Sequence, residues 1–257
     1  MTSQAPPLRQ IVSINVAKVS PLFVKDGETT HRIMSGIRKQ AMGTPMGVSP
    51  LGIAGDEQAD LSVHGGLDKA VYLYPHEHYA FWNDARGRML KQTTELLPGA
   101  MGENLTTTGV LETDLWVGDR LQMDEVILEV TEPRSPCYKF GAVMGYAQAL
   151  KHMLQSGYTG VYLRVIQTGV LRTGEHMMLL PGRRELSIAQ INDRRLRDVN
   201  DTCSDQTRRV VRMRQVTPEF APSRRPWQRR AGIRCHMTAQ RDDRQMIRYR
   251  AIAHIPA

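Results

Sequence analysis

The sequence predicts a mainly β fold, a β-barrel or folded-over sheet with a few helices, followed by a small α-helical appendage at the C-terminal end. Three observations predict it. The first two-thirds alternates short runs rich in Val, Ile, Thr and Tyr with turn residues such as Gly, Pro and Asp. Helical spacing is scarce there, so the strands are not separated by the regular crossovers of βαβ units. After Pro181 the short strands give way to runs with helical spacing and many arginines.

The elements follow in order. "QIVSINVAKVSPLFV" has the β-branched enrichment of a strand or hairpin, interrupted at Pro21. "GTPMGVSPLGIAGDEQAD" is rich in Gly and Pro and predicts loop or irregular edge. "KAVYLYP" is a strand, alternating around Val71 and Leu73. "HEHYAFWNDARGRMLKQ" is a helix, with Pro75 suited to its first turn. "LWVGDRLQMDEVILEVTEP" predicts two strands around a turn at Asp124-Glu125. "AVMGYAQALKHMLQSG" predicts one helix ending at Gly157, and "TGVYLRVIQTGVLRTGEHMMLLP" two or three further strands. Beyond a boundary near Arg183, "SIAQINDRRLRDV" reads as a short helix capped by Ser187, and "DQTRRVVRMRQV" as another. The expected organisation is a barrel domain over 1–182, a small helical domain over 183–225, and a tail over 226–257. That tail shows no periodic apolar face and is expected to be disordered. No internal repeat is present.

Charge is distributed unevenly. The net charge is +8, but from Arg183 onward there are 18 arginines, no lysine and 8 acidic residues. A nucleic-acid reading must therefore rest on the last third alone. Aromatics able to stack bases are sparse there, Trp227 and Tyr249 late on with Phe220 before them, which argues against it. No apolar run approaches the ~20 residues of a membrane helix. The first residues lack a charged region followed by a long apolar one, so no secretory signal is expected. Three widely spaced cysteines (Cys137, Cys203 and Cys235) form neither a disulfide framework nor a CxxC zinc pattern, and a cytoplasmic location is expected.

Three stretches concentrate chemistry. In "GDEQADLSVHGGLDKAVYLYP", His64 precedes Gly65-Gly66, which allow close backbone approach to an anion, and Asp68 and Lys69 follow. A tight turn with solvated charges accounts for the same residues. His76 and His78 are two apart on a helix, point to different sides and cannot share one ion. "GENLTTTGV", around Glu103-Asn104, is dense in hydrogen-bonding groups. In "TEPRSPCYKF", Pro136 stiffens the backbone at Cys137, and Arg134 and Lys139 favour thiolate, which attacks electrophiles or binds soft metals. A buried, inert thiol is the competing reading.

Taken in order, the HGG–DKA, GENL and PRxPCxK blocks resemble the MOSC domain family, and in particular its YiiM-like bacterial branch, over roughly Ile11 to Leu180. The resemblance implies a MOSC-type β-barrel and a molybdenum cofactor (molybdopterin) whose metal is bound by Cys137. It implies further that His64, Gly65, Gly66, Lys69, Asn104, Arg134 and Lys139 contact the cofactor or substrate. The activity implied is a molybdenum-dependent oxidoreductase acting on N–O bonds, reducing small N-hydroxylated compounds such as hydroxylaminopurine-type bases to amines. Its electrons would come from a separate flavin- or haem-containing protein. The alternative is a non-redox molybdenum-cofactor carrier or sulfur-transfer module using Cys137. "TGEHMML" departs from the family's Gly-Asp turn, with Glu175 in place of the aspartate.

Overall fold

A computed structural model describes residues 8–59, 65–91 and 93–199, together with two strands near the C-terminal end. The chain divides into two compact units, Met1–Asp193 and Arg194–Ala257.

In the first unit, β1 (Gln10–Val16) and β2 (Ser20–Asp26) lie either side of the residues before Pro21, but they are not partners. β2 folds back on β3 (Thr29–Ser35) as a separate hairpin. β4 (Gln40–Ala41) adds to β1, and β5 (Met46–Ser49) and β6 (Gly52–Ile53) are short strands within the Gly- and Pro-rich stretch. β7 (Val71–Pro75) is the strand expected in "KAVYLYP", followed by α1 (Tyr79–Leu90). β8 (Leu105–Thr108), β9 (Arg120–Gln122) and β10 (Ile127–Pro133) come next. The single helix expected over "AVMGYAQALKHMLQSG" is two, α2 (Tyr138–Met144) and α3 (Ala149–Ser156). Gly145 ends the first in the left-handed region at φ 82°. β11 (Val161–Gln167), β12 (Gly169–Leu171) and β13 (Met178–Leu180) complete the unit's strands.

Eight strands form one sheet in the order β13-β9-β10-β11-β7-β8-β1-β4, and β12, β5 and β6 form a second. The closed barrel expected from sequence is not found among the described residues. What links β1 to the residues just before β13 is one isolated bridge, Gln10 to His176, with backbone hydrogen bonds from Ile11 to Glu175, from Gly174 to Ile11 and from Met177 to Arg9. Closure depends on ladders between residues far apart in the chain, and here the Arg172–Glu175 turn takes the place of a ladder. Glu175 accepts the Asp124 and Arg172 amides at 2.9 Å each, so a buried carboxylate anchors that turn.

The sheet buries both faces. Val71 and Leu73 point into a core with Ile11, Ile14, Leu105, Leu128 and Leu163. Tyr72 and Tyr74 point the other way, into a second core with Trp82, Phe140, Met144 and Met153 from the three helices. This explains why β7 lacks the polar alternation of a half-exposed strand. Gly160 admits β11 between the two tyrosines. It sits at φ 63°, and a Cβ there would lie 2.8 Å from both rings.

Residues 188–199 form a helix, α4. Ser187 caps it: Gln190 N donates to Ser187 Oγ at 3.1 Å, while Ser187 N donates back to Gln190 Oε1 at 2.9 Å. Ile188 is buried in the first core, so that unit continues past Arg183. The rest of the helical domain expected up to residue 225 lies outside the described residues.

In the second unit, β14 (Arg234–Arg241) and β15 (Ile247–His254) pair antiparallel, Cys235 opposite Ala253 and Met237 opposite Ala251. The other residues of the tail expected over 226–257 lie outside the described residues.

Candidate functional site

One rung of the large sheet lays the floor of a pocket. Glu132 of β10 pairs with Tyr162 of β11, which pairs with Tyr72 of β7. Asn104 continues the rung just before β8: its amide donates to Tyr72 O at 2.8 Å, and Tyr72 N donates to Asn104 Oδ1 at 3.1 Å. Asn15 of β1 closes it, donating N–H to Asn104 O at 2.7 Å. Tyr72, Tyr162 and Asn104 all face the pocket.

Loops complete the walls. After β10 the chain delivers Arg134 and Cys137, and Cys137 sits at the residue preceding α2 with extended backbone (φ −126°, ψ 165°). Its thiol is half-buried and outside any disulfide. Arg134 is buried, donates to the Met101 carbonyl, and lies over the rings of Tyr72 and Phe140 at 4.8 and 5.2 Å. Burial alone would lower its pKa, but Tyr72, Tyr162 and Cys137 beside it hold it above the ordinary arginine value, so it stays a cation. Burial likewise pushes the Tyr72 hydroxyl far above the ordinary tyrosine value.

Lys69 reaches the pocket from the turn before β7, pairs with Glu132 at 3.2 Å and lies over the Tyr162 ring. Lys139, in the first turn of α2, lines the same pocket and has no ion-pair partner among the described residues. Gly65 faces the pocket at φ 104°, where a Cβ would collide with the Gln58 side chain. Gly66 faces an adjoining cavity that shares Asp56, Glu57 and Gln58 with the first. His64 lies outside the described residues. The pocket therefore brings together Gly65, Lys69, Asn104, Arg134, Cys137 and Lys139, which come from three separate stretches of sequence.

The Asn104 side chain, expected to face a ligand, is engaged within the protein. It donates to Asp56 Oδ2 at 2.9 Å and to Asn15 O at 3.3 Å, besides accepting from Tyr72. His76 stacks on Tyr79, while His78 pairs with buried Glu112 at 2.7 Å, so the two imidazoles diverge.

Sequence reasoning missed a buried ion pair in the pocket wall. Lys39 Nζ donates to both carboxylate oxygens of Asp56, and both side chains are more than nine-tenths buried. Asp56 also accepts Ala17 N at 2.9 Å and the Asn104 amide. Burial lowers the Lys39 pKa, opposed by Asp56 and Glu103 and reinforced by Arg134. The signal for Asp56 was present in "GDEQAD", but Lys39 sits in "SGIRKQAMG" with nothing local to mark it. Among the described residues, no three His, Cys, Asp or Glu side chains group to hold a metal ion. Among the described residues that line the pocket, the only thiol is that of Cys137.

The model for the MOSC domain matches residues 60–178, the stretch that holds Lys69, Asn104, Arg134, Cys137 and Lys139. YflK of Bacillus subtilis is 36% identical over 183 residues, covering 71% of this chain and 78% of YflK. The chain belongs to the MOSC domain family. Within that family it is similar to the YiiM-like branch. Escherichia coli YiiM is 37% identical over 136 residues, which span 59% of that protein. The crystal structure of Geobacillus stearothermophilus YiiM superposes with a TM-score of 0.59 at 30% identity, covering 77% of this chain and 89% of that one. A Gibberella moniliformis protein named "Reductase" is 37% identical over 158 residues, but this MOSC chain spans only 28% of its length. The other observed feature is negative: no described helix is long and apolar enough to cross a membrane.

Proposed function

We propose that this protein binds a molybdenum cofactor in the pocket around Cys137 and reduces N-hydroxylated compounds to amines. The observation that carries the reading is the pairing of the half-buried Cys137 thiol with the buried Arg134 cation in one pocket. A cation beside a thiol stabilises thiolate, a soft ligand suited to molybdenum. Family membership supports it, since MOSC domains are associated with this cofactor, and a relative named a reductase supports the redox class.

The donor set fits the group. Cys137 Sγ would be the protein's ligand to the metal. Among the described residues Arg134 and Lys139 pair with no carboxylate, and they suit the cofactor's phosphate, with Lys69 lining the same pocket. Gly65 presents backbone without a side chain to the pocket, where a Cβ would meet Gln58, and would leave room there for the cofactor. Asn104 holds Asp56 and Tyr72 in place, so its part is to fix the floor. When bound, the cofactor supplies two-electron oxygen-atom chemistry. The net reaction takes R–NHOH, two electrons and two protons to R–NH2 and water. The electrons come from a separate flavin- or haem-containing donor protein.

The test is to purify wild type and Cys137→Ala from a cofactor-competent host and measure molybdenum and pterin in each. Reduction of N6-hydroxyadenine with reduced methyl viologen is followed in parallel. Stoichiometric molybdenum and turnover in wild type, with both lost in the variant, is the expected result. Equal molybdenum in both proteins overturns the ligand assignment. Full metal content without turnover favours a cofactor carrier instead.

A further inference from the structure

The cations of the pocket fall into two kinds. Arg134 and Lys139 carry charge that no carboxylate in the described geometry offsets. Lys39 differs: Asp56 neutralises it, and the pair sits in the wall with side-chain exposures of 7% and 5%. A neutralised pair has little attraction for a phosphate dianion. It does retain hydrogen-bonding capacity. An ammonium has three N–H donors, and among the described residues the partners of Lys39 Nζ are the two oxygens of Asp56. At least one N–H is left for the cavity that Lys39 lines.

The surroundings hold that donor still. Asp56 is fixed by Ala17 N and by Asn104 Nδ2, and Asn104 is part of the sheet rung. The Lys39 amide donates to Ile37 O at 3.0 Å, which ties the lysine's backbone to the loop forming the pocket rim. Such a donor, fixed and electrically balanced, suits an uncharged oxygen. Resting on the reading of the pocket as an N–O reductase site, we propose that Lys39 is a substrate-specificity residue: its ammonium donates a hydrogen bond to the hydroxylamine oxygen of an uncharged N-hydroxylated substrate. Asp56 and Asn104 act through it as positioning residues, and Arg134 and Lys139 are left to anionic groups.

The experiment is a binding cycle on cofactor-loaded protein, oxidised and without reductant so that nothing turns over. Isothermal titration compares N6-hydroxyadenine with adenine, which lacks the oxygen. Wild type is expected to prefer the hydroxylated base by about tenfold, the worth of one charge-assisted hydrogen bond. Lys39→Met should abolish that preference while leaving adenine affinity and molybdenum content unchanged. Lys39→Arg should retain part of it. Because Lys39→Met strands a buried carboxylate, Lys39→Met/Asp56→Asn serves as the second variant and should give the same loss of preference. Retained preference in the methionine variants, or equal weakening of both ligands, overturns the proposal. Wild type that holds molybdenum yet neither binds nor reduces N6-hydroxyadenine overturns the proposed function itself. Wild type that reduces the base with no binding preference overturns only the role of Lys39.

Discussion

Glu103 accepts hydrogen bonds from the Gly99 and Met101 amides and from the Tyr79 and Thr106 hydroxyls, the first two at 2.9 and 3.0 Å. Its pKa nevertheless stands above the ordinary carboxylate value, because burial outweighs the four donors. A glutamate whose folded pKa exceeds its unfolded one contributes stability that is full below the unfolded value and is lost as pH rises through the folded value. Glu103→Gln removes that titration, so urea unfolding of the variant should vary less with pH above the ordinary carboxylate range than wild type does. Below the ordinary carboxylate range the variant should be less stable by about 2 kcal/mol, since its amide nitrogen cannot accept from all four donors, and that gap should narrow as pH rises. Arg134→Lys tests the pocket itself. A lysine keeps the charge but loses the planar stacking on Tyr72 and Phe140. We expect a lower melting temperature and reduced molybdenum content, read by thermal denaturation and elemental analysis. Cys137 and Arg134 were legible because one short motif holds them both. Lys39 was not, because its partner Asp56 and its neighbour Asn104 come from distant stretches, and a lone lysine carries no local mark.

Elements were legible where local chemistry decides them. Turn residues and alternation located β7, β10 and β11 from sequence. The split between α2 and α3 was missed, since a glycine inside a run with continuous helical spacing reads equally as tolerated or as terminal, and only the left-handed backbone at Gly145 settles it. Pairing was hardest: β2 could join β1 or the strand after it, and only tertiary packing selects β3. Two predictions belong at this scale. Ser187→Ala should cost about 1 kcal/mol by removing the cap of α4, and Ser187→Gly only a few tenths, measured by chemical denaturation. Gly160→Ala should cost about 2–3 kcal/mol, because a methyl there meets the Leu73 carbonyl and two tyrosine rings. The same measurement checks it.

For the molecule as a whole, the described pocket is built entirely within Met1–Asp193, while most of the arginine excess lies beyond it. Deleting residues 224–257 should therefore leave molybdenum content unchanged by elemental analysis; a loss would assign the second unit a part in the site. The mainly β character was readable from composition and turns, but the open arrangement of the large sheet was not. Whether the ends of a sheet meet depends on the sum of strand offsets along the chain, which no single stretch encodes. The rung from Glu132 through Tyr162, Tyr72 and Asn104 to Asn15 has a consequence for how such a protein diverges. Neighbouring members hold one another in register, and a one-residue slip in β7 would exchange Tyr72 for Leu73 in the floor. Rim residues Gln58 and Ala59 come from outside the rung and belong to no strand. Variation accepted there would alter what the pocket admits without disturbing the pairing that holds its floor together, so selectivity can change at the margin while the floor stays as it is.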